Sequence, residues 1–197
     1  MKKLFILLFF ITGFSSSQTW GADFAKGLAA YESGDYATAL KEWTPLAEQG
    51  IAAAQFNLGI MYDSGKGVIQ DYKTALKWYT RSAEQGDAMA QSNLGNMYHS
   101  GKGVIQDYKT ALKWYTRSAE QGYARAQFNL GLMYNTGKGV IQDYKTAVNW
   151  YTLAAEQGSA AAQANLAISF AVGDGVIEDK VYAHMWANIA RSNGSEN

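Results

Sequence analysis

A 23-residue segment, SGKGVIQDYKTALKWYTRSAEQG, occurs twice in the chain without a single difference, at residues 64–86 and 100–122. The two copies are 36 residues apart, and the same offset brings the rest of the 197-residue chain into register. Aspartates and glycines recur at this period: Asp35, Asp71, Asp107, Asp143 and Asp179, and Gly50, Gly86, Gly122, Gly158 and Gly194. A repeat of this length cannot bury its own apolar face, so it must stack on neighbouring copies. The period therefore predicts a repeat array.

Each repeat carries apolar residues at helical spacing in two segments that a glycine-bearing loop separates. In the first segment, helix A, Ala54, Leu58 and Met61 recur at spacings of four and three, which defines one buried face. Gly65 is placed to end this helix, and Asp71 is placed to cap the start of a second helix, helix B. The sequence therefore predicts an all-α protein of about five helix hairpins.

The predicted organisation is a signal peptide at residues 1–22 followed by a single repeat domain at residues 23–197. Lys2 and Lys3 precede an unbroken apolar run at residues 4–11, a pattern typical of secretory signals. A membrane span needs about twenty apolar residues, so the run is too short for one. The predicted repeats are residues 23–50, 51–86, 87–122, 123–158 and 159–197. We therefore expect a periplasmic or secreted protein with no membrane span in its mature chain.

The composition disfavours nucleic acid as a partner and bears on how the fold is stabilised. Seventeen basic residues balance seventeen acidic residues, so the strongly basic surface of a typical nucleic-acid-binding protein is not expected. The chain has no cysteine, which excludes a disulfide framework and leaves packing to stabilise the fold. With 48% hydrophobic residues, the chain has ample material for a packed interior.

The consensus unit AxAQxNLGxMYxxGKGVIQDYxxAxxWYxxxAEQG closely resembles the Sel-one-like repeat (SLR) family, a relative of the tetratricopeptide repeat with a longer loop between its two helices. The resemblance rests on Leu58, Gly59, Tyr62, Gly65, Gly67, Val68, Asp71, Ala75, Trp78, Tyr79, Ala83 and Gly86. It implies a right-handed α-solenoid that binds other proteins, commonly as a secreted or periplasmic adaptor in bacteria. The last repeat departs from the pattern, because Ala167, Phe170 and Asp174 replace a glycine, a tyrosine and a lysine.

The Gly-Lys-Gly loop does not fit a phosphate-binding site. In a Walker loop a serine or threonine follows the lysine and the loop leaves a strand. Here Lys66, Lys102 and Lys138 each precede a glycine, and the loop joins two helices. We expect the glycines to end helix A and permit a sharp loop, and the lysines to face solvent.

A catalytic or metal-binding constellation is not evident in the sequence. No serine has a lysine three residues later, as serine acylases of the β-lactamase and penicillin-binding kind require. His99 and His184 are the only histidines, and neither has a second ligand at metal-binding spacing. We expect a non-enzymatic protein with no cofactor and no metal. A cell-wall-related protein, β-lactamase-like or glycan-binding, and a self-associating structural component are the alternatives.

An aromatic column recurs in helix B at Trp78, Trp114, Trp150 and Trp186, with Tyr79, Tyr115 and Tyr151 beside it. Strict recurrence at one position favours packing between repeats, where large rings bury the most area. A stacking platform for sugars is the alternative.

Positions that differ between repeats form one stripe on helix A. Their spacings of three, four and three place them on a single helix face, while Leu58, Leu94 and Leu130 stay constant beside them. In tetratricopeptide-like arrays the A helices line a concave groove, so by resemblance we expect this stripe to bind a protein or peptide. The predicted partner-binding residues are Phe56, Ile60, Met89, Asn96, His99, Arg125, Phe128, Leu132 and Asn135. Drift on an idle surface would produce the same variation.

A second irregularity lies in the last B helix. Two earlier repeats carry Lys, Lys and Arg at successive helical turns, within residues 73–81 and 109–117. The corresponding residues in the last repeat are Val181, Met185 and Ile189. This row predicts a secondary docking or self-association patch, unless the helix rotates or the tail covers it. The sequence leaves the oligomeric state open.

Overall fold

The computed structural model describes residues 12–194, and within that range the chain forms ten α-helices and no strand. The helices are α1 (Thr12–Glu32), α2 (Tyr36–Glu48), α3 (Ala52–Ser64), α4 (Tyr72–Glu84), α5 (Ala88–Ser100), α6 (Tyr108–Glu120), α7 (Ala124–Thr136), α8 (Tyr144–Glu156), α9 (Ala160–Val172) and α10 (Lys180–Gly194). Odd-numbered helices are the A helices and even-numbered helices the B helices. The prediction of an all-α protein built from five hairpins is confirmed.

The chain divides into two compact units, of which unit 1 ends at Gln85 and unit 2 begins at Gly86. Unit 1 contains the hairpins α1–α2 and α3–α4, and unit 2 contains α5–α6, α7–α8 and α9–α10. The apolar run of the predicted signal peptide, at residues 4–11, lies outside the described residues, so the signal peptide stays a prediction.

Local sequence signals set the ends of the helices. Asp107 precedes α6, and its carboxylate accepts hydrogen bonds from the backbone N–H groups of Lys109 at 2.9 Å and Thr110 at 3.2 Å. The Thr110 hydroxyl also donates to this carboxylate, at 2.7 Å, and it is the main reason why the pKa of Asp107 lies below its ordinary value. Gly101 ends α5 in the left-handed conformation, with φ of 75°. Both roles were predicted from the equivalent residues of the preceding repeat.

A helical glycine lets the two helices of a hairpin approach closely. In α7, a Cβ atom added to Gly131 would lie 2.7 Å from Cδ1 of Tyr151 on α8. Gly95 stands in the same relation to Tyr115, also at 2.7 Å. The tyrosine rings therefore occupy the volume that a side chain would need, so glycine at these positions allows the two helices to lie close together.

The second glycine of the Gly-Lys-Gly loop joins one hairpin to the next. Gly139 has φ of 73°, and a Cβ atom added there would lie 2.7 Å from the backbone carbonyl carbon of Tyr108 in the preceding hairpin. In unit 1, Gly67 is packed against Tyr36 in the same way. These contacts give the loop a structural role, in agreement with the rejection of a phosphate site.

The loop lysines are exposed, as expected, but they also contact aromatic rings. Lys66 Nζ lies 5.0 Å from the ring centroid of Tyr31 and 3.2 Å from its hydroxyl oxygen. Lys138 Nζ lies 5.6 Å from the ring centroid of Tyr108. Lys66 and Lys138 are therefore exposed, as expected, and each also contacts a tyrosine of the preceding hairpin. Such contacts at exposed sites contribute about 0.5–1 kcal/mol.

Glutamine side chains form a buried ladder between hairpins that the sequence analysis did not predict. Gln127 is 4% exposed, and its amide donates to the carbonyl oxygen of Ala119 at 3.3 Å. Its own side-chain oxygen accepts from Gln157 Nε2 at 2.8 Å. In the last hairpin, Asn193 takes the place of Gln157 and donates to Gln163 at 3.0 Å. The ladder satisfies buried backbone carbonyls at successive repeats.

The aromatic column packs against the cores of the two units. Tyr115 and Tyr151 are 2% and 1% exposed, and Trp78 of unit 1 is 8% exposed. Trp150 is half-buried against the cluster that Tyr115 joins, and Trp186 is half-buried against the cluster that contains Tyr151. The prediction that this column serves packing is confirmed for these residues.

Candidate functional site

In unit 2, several of the helix-A positions that differ between repeats carry solvent-exposed side chains. Met89 on α5 is 43% exposed, and Arg125 on α7 is also exposed. Ile168 on α9, which occupies the repeat position of Asn96 and Leu132, is 60% exposed. By contrast, Leu94 and Leu130 beside the stripe are each 1% exposed. The fold therefore buries these constant leucines and leaves Met89, Arg125 and Ile168 accessible to a partner.

Asn96 organises the polar centre of the stripe. Its side-chain oxygen accepts a hydrogen bond from the Tyr115 hydroxyl at 2.7 Å and another from Asn129 Nδ2 at 3.2 Å. These bonds connect α5, α6 and α7. Burial raises the pKa of Tyr115, and the positive charge of Arg125 partly opposes that shift. Arg125 and two amide side chains thus lie in one neighbourhood of unit 2.

In the next hairpin, apolar residues, Phe128 and Leu132, stand at stripe positions that are polar in the preceding repeat. The Phe128 ring is half-buried, with its centroid 6.0 Å from that of Tyr151. Leu132 replaces the asparagine of the preceding repeat, and the buried Tyr151 hydroxyl has no hydrogen-bond partner among the described residues. Burial raises the pKa of Tyr151 to about 12. The Phe128 ring therefore serves partly in the packing of its own hairpin, against the aromatic core residue Tyr151.

His99 and Asn135 lie at the carboxyl ends of their A helices, next to the loop. The His99 ring centroid is 5.1 Å from that of Tyr108, and burial is the main reason why the pKa of His99 is lowered, with a smaller effect of the Lys138 charge. The Asn135 backbone carbonyl accepts from Gln142 Nε2 at 2.7 Å. Both side chains are half-buried, so they border the exposed part of the stripe.

Unit 1 contributes the other two predicted residues. Phe56 on α3 is half-buried, with its ring centroid 6.0 Å from that of Tyr79. Ile60, one turn later, is also half-buried. Phe56 therefore has the same packing role in its hairpin as Phe128 has in unit 2, and both residues expose only part of their surface.

The part of the chain that the structure describes contains no group of three or more His, Asp or Glu side chains that could hold a metal ion. Within residues 12–194, no helix is both long and apolar enough to cross a membrane.

The repeat family is established by comparison with known families. The model of the Sel1 repeat matches four consecutive segments, residues 52–87, 88–123, 124–159 and 160–195. The chain belongs to the Sel1 repeat family. Each matched segment begins one residue after the corresponding predicted repeat, and the predicted repeat at residues 23–50 is not among the matched segments. The all-α solenoid expected from the resemblance is the fold of this family. Sel1 repeat proteins generally act in protein–protein interaction.

Solved Sel1 repeat structures share the fold. A Sel1 repeat protein from Oxalobacter formigenes is 36% identical, with a TM-score of 0.82 over 87% of this chain and 70% of that one. The protein c5321, a protective antigen present in uropathogenic Escherichia coli strains, is 33% identical, with a TM-score of 0.85 over 91% of this chain. The match spans 39% of c5321. No functionally curated protein matches the chain.

The last Sel1 repeat has a polar outer side. In the preceding repeat Val148 is 7% exposed, and the Ala155 carbonyl accepts from Gln163 of the next hairpin at 3.0 Å. The corresponding residues of α10 are His184 and Arg191, and both are exposed. Charged and polar side chains thus stand in the last repeat where the preceding repeat has apolar residues. The replacement of Val148 and Ala155 by His184 and Arg191 already indicates this polar side in the sequence, but our sequence analysis did not predict it.

The predicted secondary docking row lies on the same Sel1 repeat. Val181 is 77% exposed, Met185 is 40% exposed and Ile189 is half-buried. Within residues 12–194, no segment covers Val181 or Met185.

Proposed function

We propose that this protein is an exported scaffold that binds a protein or peptide along the A helices of unit 2. The observation that carries the proposal is the exposure of Met89, Arg125 and Ile168 at positions where the repeats differ. Positions that the fold dictates are buried and constant, so variable exposed positions on one face are free to serve recognition.

The chemistry of the stripe suits a peptide with both apolar and acidic groups. Met89 and Ile168 offer apolar surface, and a methionine side chain adapts to irregular partners. Arg125 can pair with a carboxylate through two parallel hydrogen bonds. Asn96 is held in place by Tyr115 and Asn129, so its free amide hydrogens are preorganised to donate to a backbone carbonyl of the partner.

Photocrosslinking tests which face meets the partner. A photoreactive benzoylphenylalanine at position 125 should crosslink one defined protein in extracts of the source organism's envelope and medium. The same group at position 113, an exposed lysine on the B helix of the preceding repeat, is the matched control. Crosslinking of the same protein from position 113 but not from position 125 would contradict the proposal.

Substitution of two exposed stripe residues tests the affinity. Arg125→Ala together with Met89→Ala should weaken binding of the captured partner by about 1–4 kcal/mol, because a few side chains carry most of the affinity of an interface. Helical content by circular dichroism should stay unchanged, since both side chains are exposed. Phe128 is left intact because its ring belongs to the packing of its hairpin. Calorimetric titration measures the effect, and parental affinity in the double variant would remove this stripe as the binding face.

Export rests on the amino-terminal sequence. Lys2 and Lys3 followed by the apolar run at residues 4–11 support a signal peptide that is removed near residue 22. We expect the mature protein in the periplasm or medium, with an amino terminus close to Asp23 by terminal sequencing. Leu7→Arg with Leu8→Arg should keep the full-length chain inside the cell, and parental fractionation of that variant would contradict a signal peptide.

A further inference from the structure

A row of isoleucines projects from the loops of unit 2. Ile105, Ile141 and Ile177 occupy the same place in three consecutive repeats and are 89%, 89% and 90% exposed. Among its described residues, unit 1 has one isoleucine at this loop position, Ile69. Scattered exposed apolar residues are ordinary on protein surfaces. Three at one repeat position form an ordered row, here called the isoleucine edge, since equivalent loops of stacked hairpins follow one another along the unit.

The loop does not need an isoleucine for its own structure. Gly139 packs against the preceding hairpin, and Gln142 bonds to the carbonyl of Asn135. In the last repeat, the valine before the isoleucine, Val176, packs against the core. The isoleucine is therefore the one large apolar residue of that loop that the fold leaves in water.

Charged side chains give the isoleucine edge two ends of opposite sign. At each of the first two loops, two lysines outweigh one aspartate, and at the last loop three acidic side chains outweigh one lysine. These residues are Lys102, Asp107 and Lys109, then Lys138, Asp143 and Lys145, then Asp174, Glu178, Asp179 and Lys180. The charges of the three loops cancel in sum, but the edge is positive at one end and negative at the other.

Two substitutions in the last repeat make its loop acidic. Asp174 and Glu178 stand where the preceding repeat carries Lys138 and Gln142, whereas the isoleucine at position 177 is unchanged. Three loops of the earlier kind would have left the edge positive along its whole length. The last repeat therefore retains the exposed apolar side chain and reverses the charge around it.

A twofold axis through the middle loop pairs the two ends with opposite charge. A symmetric dimer uses the same surface on both copies, so that surface must complement itself. With the rows antiparallel, the loop of Ile177 in one copy faces the loop of Ile105 in the other, and only the two Ile141 loops bring like charges together. With the rows parallel, like charges meet at all three loops, which disfavours that arrangement.

We propose that the isoleucine edge joins two copies of the chain in an antiparallel dimer. The isoleucines supply the apolar area that the interface buries, and the charges of the end loops set the direction in which the rows pair. Interfaces below about 1,200 Å² are typical of transient complexes, and three loops from each copy make a small interface, so we expect a weak dimer. The inference is independent of the partner site on the A helices, because no residue of that stripe belongs to the edge.

Disulfide crosslinking tests the pairing, since the chain has no cysteine of its own. All proteins are full chains with Leu7→Asp and Phe9→Asp, which interrupt the apolar amino-terminal run. Under mild oxidation at low salt, Ile141→Cys alone should form a covalent dimer, because the axis brings this residue to its own copy. Ile105→Cys mixed with Ile177→Cys should form one as well, whereas neither should do so alone. No covalent dimer from Ile141→Cys, or one formed as readily by Ile105→Cys alone, overturns the proposal.

Sedimentation velocity over a concentration series measures the dimer without a crosslink. The parent should pass from monomer to dimer as its concentration rises. Replacing the three isoleucines of the edge by serine should raise the dissociation constant about tenfold or more, because the apolar area is lost from both copies. Serine at Met89, Ile168 and Val172, which are exposed apolar residues on A helices, is the matched control and should leave the dissociation constant at the parental value. A parent that stays monomeric, or an equal loss in both triple variants, contradicts the proposal.

A charge variant separates directed pairing from general apolar association. Asp174→Lys with Glu178→Gln gives the last loop the residues that the preceding repeat carries, so we expect the fold to be kept, with circular dichroism as the check. All three loops then carry net positive charge, and at low salt the dissociation constant should rise about threefold or more. Added salt should reduce the difference between this variant and the parent. An unchanged dissociation constant at low salt would show that charge does not direct the pairing, and the antiparallel dimer would be wrong.

Discussion

Gly139→Ala is expected to destabilise unit 2 by about 3 kcal/mol or more. Two costs combine at this residue. Its φ of 73° is strained for any residue with a side chain, at about 1–2 kcal/mol. The new methyl group would also lie 2.7 Å from backbone atoms of Tyr108, which cannot move without separating two hairpins. Urea unfolding followed by circular dichroism measures the loss.

Gly158→Ala is the matched control for the first cost alone. Gly158 has φ of 89°, but nothing lies within 4 Å of the position that its Cβ would occupy. We expect this variant to lose only about 1–2 kcal/mol. If the two substitutions cost the same, the approach of the loop to the preceding hairpin contributes nothing to stability.

Gly131→Ala should also destabilise the protein, although alanine is the better helix former. In an unconstrained helix this substitution would stabilise by about 1 kcal/mol. Here the methyl group would lie 2.7 Å from the ring of Tyr151, so we expect a loss of about 1–3 kcal/mol. Removing the ring by Tyr151→Ala should cost about 3–5 kcal/mol through the cavity it leaves.

The double variant measures the coupling between these two positions. Once the ring is absent the methyl group has space, so Gly131→Ala with Tyr151→Ala should lose at least about 1 kcal/mol less than the sum of the single variants. The last repeat already carries this combination, with Ala167 and Ala187 at the corresponding positions. Ala167→Gly is the control and should cost about 1 kcal/mol through helix propensity. Strict additivity would show that the ring does not require the glycine.

The candidate site was only partly visible in the sequence. Comparison of repeats identified a helix-A stripe, and the structure leaves Met89 and Arg125 exposed on it. It could not show that Phe128 packs against Tyr151, because a ring contact between two helices depends on the angle at which they cross. Whether the stripe binds a partner stays a prediction.

The sequence by itself determined the features whose causes are local or periodic. The 36-residue period requires stacked hairpins, Asp107 caps a helix through N–H groups two and three residues away, and Gly101 ends a helix through its own φ. Each of these signals acts within one turn of the chain or repeats along it. The helices, their ends and the family resemblance could therefore be read before any coordinates.

Only the tertiary structure decided which side chains meet across hairpins. The bonds from Gln157 to Gln127, 30 residues apart, and from Lys66 to Tyr31, 35 residues apart, join groups that no local pattern connects. Likewise, Val176 and Ile177 are adjacent and similarly apolar, yet one packs against the core and the other is 90% exposed. Burial depends on the position of the neighbouring hairpin, and an apolar residue in a loop carries no periodicity that would reveal its direction.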